Sequence, residues 1–471
     1  MGVLTQPSHL TEGQSPMDRN ARSRQHQHRK SIERRARSTD SMEFFNVLTS
    51  APLLEATETL SPAYRERLYS PTVTLSMFMQ QALDADSSCQ KVVNGWAVQR
   101  AACGLAPGST RTGADCRART RLPLSMVSGL ARETGRQLHA RACRPWCWRG
   151  RAVKLVDGTG ISMPDTNENQ SRYPQPSTQA DGVGFPLARL VVVICLATGA
   201  ALDAAIGAHS GKGNSELGLF RALSAAFEPG DVMLADALYC NYFLIATLAQ
   251  AGVDVLFEQH GSRITDFRRG KRLGARDHLV AWPKPPRPEW MTPEQYHALP
   301  SELQVRETQT EHQILVTTMI NHRKVRKADL AQLYARRWNV ELDLRNIKTT
   351  MGMEVLHCQT PEMNEKELWV HLLAYNLIRL LMAQAASHAG VNPRSLSFKH
   401  TTQLWTQWVA RGLPANADLF AMIAQPKVGH RPDRIEPRQR KRRPKPYPWL
   451  KKDRQLARID ILLHGRPMRP K

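Results

Sequence analysis

Between residues 151 and 258 the chain alternates apolar, β-branched runs with short helical patterns, in an order that leaves few folds open. "AVKLVDGTGISM" has the alternation of a buried strand, and its glycines predict a turn at Gly158–Gly160. "LARLVVVICLATG" and "AALDAAIGAH" read as two more strands joined as a hairpin. "NSELGLFRALSAAF" opens on Asn214 or Ser215 as a cap and reads as a helix. "GDVMLADALY" is a fourth strand, "NYFLIATLAQAG" a helix ended by Gly252, and "VDVLFEQH" a fifth strand. Three strands, helix, strand, helix, strand predicts a mixed α/β sheet with helices on its faces.

On either side the pattern differs. Residues 1–42 are polar and basic, which predicts a flexible arm. Residues 43–150 carry helical patterns such as "SMVSGLARETGRQLHARA" and predict a small helical domain. Residues 151–257 are the first part of the sheet core. Residues 258–325 are basic and Pro-rich around "RRGKRLGARDHLVAWPKPPRPEW", with one more strand in "QILVTTMIN"; they predict a β-rich insertion. Residues 326–425 return to helices, including the strongly apolar "EKELWVHLLAYNLIRLLMAQAA". Residues 426–471 predict a second basic, flexible segment; positions 427–471 hold 16 Lys or Arg against 4 Asp or Glu.

Charge narrows the function. The formal net charge of +23 points to a polyanionic partner, nucleic acid first and an acidic membrane surface second. No run of about 20 apolar residues is present. "LARLVVVICLATGAALDAA" comes nearest, but it is broken by Arg189 and Asp203 and reads as two strands. The first residues lack the charged start and apolar middle of a signal peptide, so a cytoplasmic protein without a membrane partner is expected. Eight scattered cysteines without a CxxC pair predict free thiols. His139, Cys143 and Cys147 have a helical metal-ligand spacing, but Pro145 breaks the helix and no fourth ligand is near.

"YARRWNVELDLRNIK", residues 334–348, carries the most pointed arrangement. On one continuous helix Tyr334, Arg337, Glu341 and Lys348 fall at roughly 0°, 300°, 340° and 320°, a stripe about 60° wide. Leu333, Val340, Leu344, Ile347 and Met351 form a neighbouring apolar stripe, as docking on a core requires. Two aspartates sit where strands end: Asp157 in "KLVDGTG" and Asp236 in "VMLADALY". If the first and fourth strands are neighbours the aspartates meet, and the helix can add Glu341. Clustered carboxylates repel unless cations neutralise them, and oxygen ligands suit Mg2+ or Mn2+.

The spacing Tyr334-(2)-Arg337-(3)-Glu341-(6)-Lys348 resembles the Y-(2)-R-(3)-E-(6)-K signature of bacterial insertion-sequence DDE transposases of the insertion-sequence-four type. "VDGTGISMPDT" and "GDVMLADALYCNYF" resemble that family's two aspartate regions, and the likeness extends over roughly residues 43–425. It implies a ribonuclease-H-like mixed-sheet core with a β-rich insertion, and an end-recognition role for the helical domain. Asp157, Asp236 and Glu341 would be the catalytic, metal-binding residues, while Tyr334, Arg337 and Lys348 would contact DNA. It further implies a homodimer on double-stranded DNA and two-metal phosphoryl transfer. Some members hold a flipped base with an insertion tryptophan, for which Trp282 and Trp290 are candidates. One departure is local: Ala237 and Leu238 follow the second aspartate, where the family often has a polar residue.

Overall fold

The computed structural model describes residues 68–426, apart from 212, 312, 412 and 414, together with 428 and 452–465. The arm expected over 1–42 and most of the basic run 438–454 lie outside the described residues.

Among the described residues the first four α-helices are α1 (Pro71–Leu83), α2 (Cys89–Ala102), α3 (Gly113–Arg121) and α4 (Leu124–Ala140). Pro71 opens α1, and Ser70 Oγ caps it by accepting from the Val73 N–H. Leu75 and Phe78 of α1 and Met126, Leu130 and Leu138 of α4 belong to the same buried core as the sheet behind them. These helices therefore lie against the core as a layer.

The sheet elements follow in chain order: β1 (Val153–Ser162), α5 (Asn167–Arg172), β2 (Leu187–Cys195), β3 (Ala201–Ala208), α6 (Glu216–Phe220), β4 (Val232–Ala235), α7 (Tyr242–Gln250) and β5 (Asp254–Glu258). Then come β6 (Lys271–Gly274), β7 (Asp277–Pro283), α8 (Pro293–Ala298), β8 (Glu302–Gln309) and β9 (Ile314–Thr317). All nine strands form one sheet in the order β3-β2-β1-β4-β5-β9-β8-β7-β6. β1 pairs antiparallel with β2 and parallel with β4, and β4 pairs parallel with β5. Val191 through Ile194 of β2 are fully buried, because helices cover both faces. This is the mixed α/β sheet with helices on its faces that the strand and helix order predicts.

Two local expectations are corrected. β1 does not turn at Gly158–Gly160 but runs on to Ser162, with Gly158 paired to Val191 and Gly160 to Arg189. Asp157 therefore sits within a strand, not at its end. The stretch 258–325 contains four strands rather than one, and β9 pairs with β5, so they lengthen the core sheet. Buried polar pairs hold this extension: Arg306 grips Asp277 through two bonds of 2.8 and 2.6 Å, and Glu307 accepts from Trp282 Nε1 at 2.8 Å.

The helices after the sheet are α9 (Lys327–Ala335), α10 (Trp338–Arg345), α11 (Pro361–Ala389), α12 (Phe398–Val409), α13 (Ala417–Ala424) and α14 (Arg454–His464). The single helix expected over 334–348 is in fact broken. α9 stops at Arg336, i to i−3 bonds link Arg337 N to Tyr334 O and Val340 N to Arg337 O, and α10 passes into a π turn over Asn346–Thr350. The apolar stripe survives: Leu333, Val340, Leu344, Ile347 and Met351 are all buried. α11 is long and apolar enough to cross a membrane by composition, and 94% of its apolar window is buried within the protein. Its Asn376 bonds both Ala201 N and Ala201 O at 2.8 Å, stitching it to β3. The expectation of a flexible segment throughout 426–471 also fails, since α14 is helical and its Arg454 reaches Gly184 O at 2.9 Å and Asp165 Oδ2 at 3.0 Å.

Candidate active site

Strand register brings the two aspartates together. Val153, Lys154 and Leu155 of β1 pair with Val232, Met233 and Leu234 of β4. Carrying that register two residues further sets Asp157 level with Asp236, just beyond the paired segment. Asp236 caps a short 3-10 turn, Ala237–Tyr239, and accepts the Leu238 N–H at 2.9 Å. The apolar Ala237-Leu238 pair, a departure in sequence, thus supplies a backbone donor to the aspartate. Asp157 accepts the N–H of Gly158 at 2.8 Å.

Glu341 reaches the same region on α10, which packs on β1. Its Oε1 accepts from Arg337 Nη2 at 2.9 Å, one turn earlier. Burial works against the Arg337 charge, but Tyr334, Glu341 and Asp157 around it hold its pKa above the ordinary value. Arg337 is therefore paired with Glu341 and feels the charge of Asp157. Tyr334 is buried and donates to Glu258 Oε2 at 3.2 Å. Lys348 lies further along, 3.9 Å from Glu354. Because the helix is broken, the four side chains occupy α9, the turn after it, α10 and the π turn instead of one straight stripe.

Two residues here escaped the sequence reading. Glu216, the first residue of α6, lies over Gly158, where an added Cβ would sit 2.7 Å from its Oε2. Tyr239, fully buried, has a hydroxyl with no hydrogen-bond partner. After burial, the carboxylates of Glu216, Asp157 and Asp236 are what push its ionisation up. No local pattern marks either residue; Glu216 looks like a helix-start acid, and Tyr239 like a core aromatic.

The electrostatics are those of crowded acids. Asp157 is pushed up to about 7, first by burial and then by Asp236 and Glu216, against the lowering effect of the Gly158 N–H and Arg337. Burial and Asp236 raise Glu216, opposed by Arg189. Among the described residues, the one three-member group of metal-type ligand atoms all within 4.8 Å is Cys89, Asp115 and Cys116, whose Asp115 is already paired with Arg119 at 2.8 Å. No three of the acids Asp157, Asp236, Glu216 and Glu341 form such a group in this structure, so they would have to draw together around a cation. Their oxygen chemistry and the partnerless Tyr239 hydroxyl fit hard divalent cations. The set His139, Cys143 and Cys147 does not form: His139 Nδ1 is 3.2 Å from Cys195 Sγ.

A pH effect follows. An unfolded Asp157 ionises near its ordinary 3.8, while the folded one holds its proton to about 7. In metal-free buffer this costs nothing below pH 4, grows as pH rises from about 4 to 7, and then stays level. Melting curves with EDTA should show wild type losing stability across that window relative to Asp157→Asn, by on the order of 2–4 kcal/mol. Parallel curves for the two proteins would show that the site leaves Asp157 unperturbed.

Of the two insertion tryptophans, Trp282 is buried with Arg263 3.6 Å over its ring, a core anchor. Trp290 is about half exposed, with Arg221 4.2 Å over its ring and Phe243 edge-on at 6.1 Å.

Comparison with known proteins places these features. The family described as "Transposase DDE domain" matches residues 148–377, a span that holds Asp157, Asp236, Tyr334, Arg337, Glu341 and Lys348. The chain is 28% identical over 356 residues to the transposase InsG for insertion sequence element IS4 of Escherichia coli (strain K12), covering 72% of this chain and 78% of that protein. Among solved structures, the piggyBac transposase synaptic complex with hairpin DNA aligns over 84% of this chain and 86% of that one, at 9% identity and a TM-score of 0.44. Residues 148–377 thus resemble a transposase DDE domain, and the chain is similar to a transposase of the IS4 insertion-sequence kind.

Proposed function

We propose that this chain is a transposase that cuts DNA at the two ends of its element and joins the freed 3′-hydroxyls to target DNA, in cut-and-paste fashion, with Asp157, Asp236 and Glu341 as ligands of two Mg2+ or Mn2+ ions. The observation that carries this reading is the register that sets Asp157 level with Asp236 on adjacent parallel strands, with α10 bringing Glu341 against β1. Bound divalent cations would activate the attacking oxygen and stabilise the leaving one. The chain's own residues do the rest. Glu341, now held by Arg337, would serve as a cation ligand, and the Arg337 guanidinium beside it would contact a backbone phosphate. Lys348 offers a point charge to the same strand, and Tyr334, fixed by Glu258, positions Arg337 from behind. Asp157, whose pKa burial pushes up, would hold a cation in its ionised form.

The high positive charge supports a DNA partner, and coordinated cutting of two ends implies a homodimer on the DNA, acting in the bacterial cytoplasm at the nucleoid. The test is strand transfer. A short duplex with the element's end sequence and a free 3′-hydroxyl is mixed with protein, Mg2+ and supercoiled target plasmid. Covalent joining, lost with EDTA or a 3′-deoxy end, is the expected result. Plasmid nicking without joining would point to a nuclease of the same fold, and binding without either would point to an inactive DNA-binding relic.

A further inference from the structure

We propose that Glu216 is a fourth acidic ligand of this centre, a carboxylate that adds to Asp157, Asp236 and Glu341 in holding divalent cations. The inference rests on the reading above that these aspartates hold metal, and it adds a residue outside the Asp, Asp, Glu set.

Position comes first. α6 follows β3 after residues 209–215, and Ser215 caps it by accepting from the Gly218 N–H at 3.0 Å, which presents Glu216 as the first helical residue. From there the side chain lies across Gly158, next to Asp157, so close that an added Cβ would sit 2.7 Å from Oε2 and 2.8 Å from Cγ. Only a glycine at 158 leaves this path open.

Pairing comes second. Glu341 already has a cationic partner in Arg337. The Glu216 carboxylate has no hydrogen bond or ion pair among the described residues, although it is half-buried. Arg189 lies near enough to favour its charge, but Nη1 of that guanidinium is given to Asn214 O at 2.9 Å. A half-buried carboxylate beside two others and without a partner is costly unless a cation compensates it.

Tyr239 supplies the independent observation. Its ring is fully buried, its hydroxyl has no partner, and the charges of Glu216, Asp157 and Asp236 act on it. Buried hydroxyls are nearly always satisfied. A donor left open within the field of three acids marks a polar space that these groups share with a further ligand.

Mn2+ binding to the full-length protein, followed by electron paramagnetic resonance at pH 8, tests this without any cleavage readout. Glu216→Gln keeps the shape and removes the charge. It should weaken Mn2+ binding at least tenfold at one site, and Asp157→Asn should weaken it as well. If Asp157→Asn weakens binding and Glu216→Gln matches wild type, the inference is overturned and the metal reading of the aspartates stands. If neither variant changes binding, both fail. A second measurement uses wild type alone: Fe2+ with ascorbate and peroxide should cut the backbone near residues 157, 216 and 236. Cuts at both aspartates without any near 216 would overturn the proposal even if Glu216→Gln does not fold.

Discussion

Asp343→Ala should destabilise the protein by about 3–5 kcal/mol, the usual cost of stripping a counter-ion from a buried pair. Asp343 is fully buried on α10. One of its oxygens accepts from Arg379 Nη2 of α11, and both accept from Arg394 Nη1 at 2.7 Å. Arg394 also donates to Leu196 O at 2.7 Å and Cys195 O at 2.9 Å, at the end of β2. One carboxylate thus ties α10, α11 and the sheet together. Its removal leaves two nearly buried guanidiniums without their anion. Because Asp343 lies two residues from Glu341, the same change should loosen the glutamate's placement and lower DNA cleavage even in the fraction that stays folded. Denaturant unfolding checks the first effect; a loss under 1 kcal/mol would mean that α10 is held by its apolar stripe alone.

That stripe was readable from sequence, and so was the strand order. Apolar runs of strand length, separated by Gly-ended helices, predict the sheet because burial on both faces demands them. The same order left the first and fourth strands free to be neighbours, and their pairing in the structure sets Asp157 level with Asp236. What stayed hidden depends on contacts distant in sequence. Arg336 and Arg337 include neither Gly nor Pro, so nothing local announces the break between α9 and α10. Asp343 resembles a surface acid until Arg379 and Arg394, 36 and 51 residues away, close over it. Gly158–Gly160 reads as a turn, yet the space above Gly158 serves Glu216, which lies on another element. The strands β6, β7 and β8 were masked by Arg, Lys and Pro, because one side of that extension faces solvent and its buried polar groups are paired internally.

Asp236→Ala should carry the largest functional loss. Asp236 contributes no buried ion pair, so its removal spares the fold, and only the Leu238 N–H loses a partner. In the proposed mechanism it removes a metal ligand, and cleavage should fall more than about 10³-fold, beyond the 10–100-fold usual for an outer-shell change. Binding to element ends should persist, since phosphate contacts and the basic segments supply it.

The measurement that bears on the central claim most directly is cleavage of a supercoiled plasmid carrying both element ends, with Mg2+, by wild type and by Asp236→Ala at matched DNA occupancy. The account predicts cuts mapping to both ends for wild type, none with EDTA, and none above background for the variant. Cleavage by Asp236→Ala at the wild-type rate would show that the aligned aspartates do not carry the chemistry.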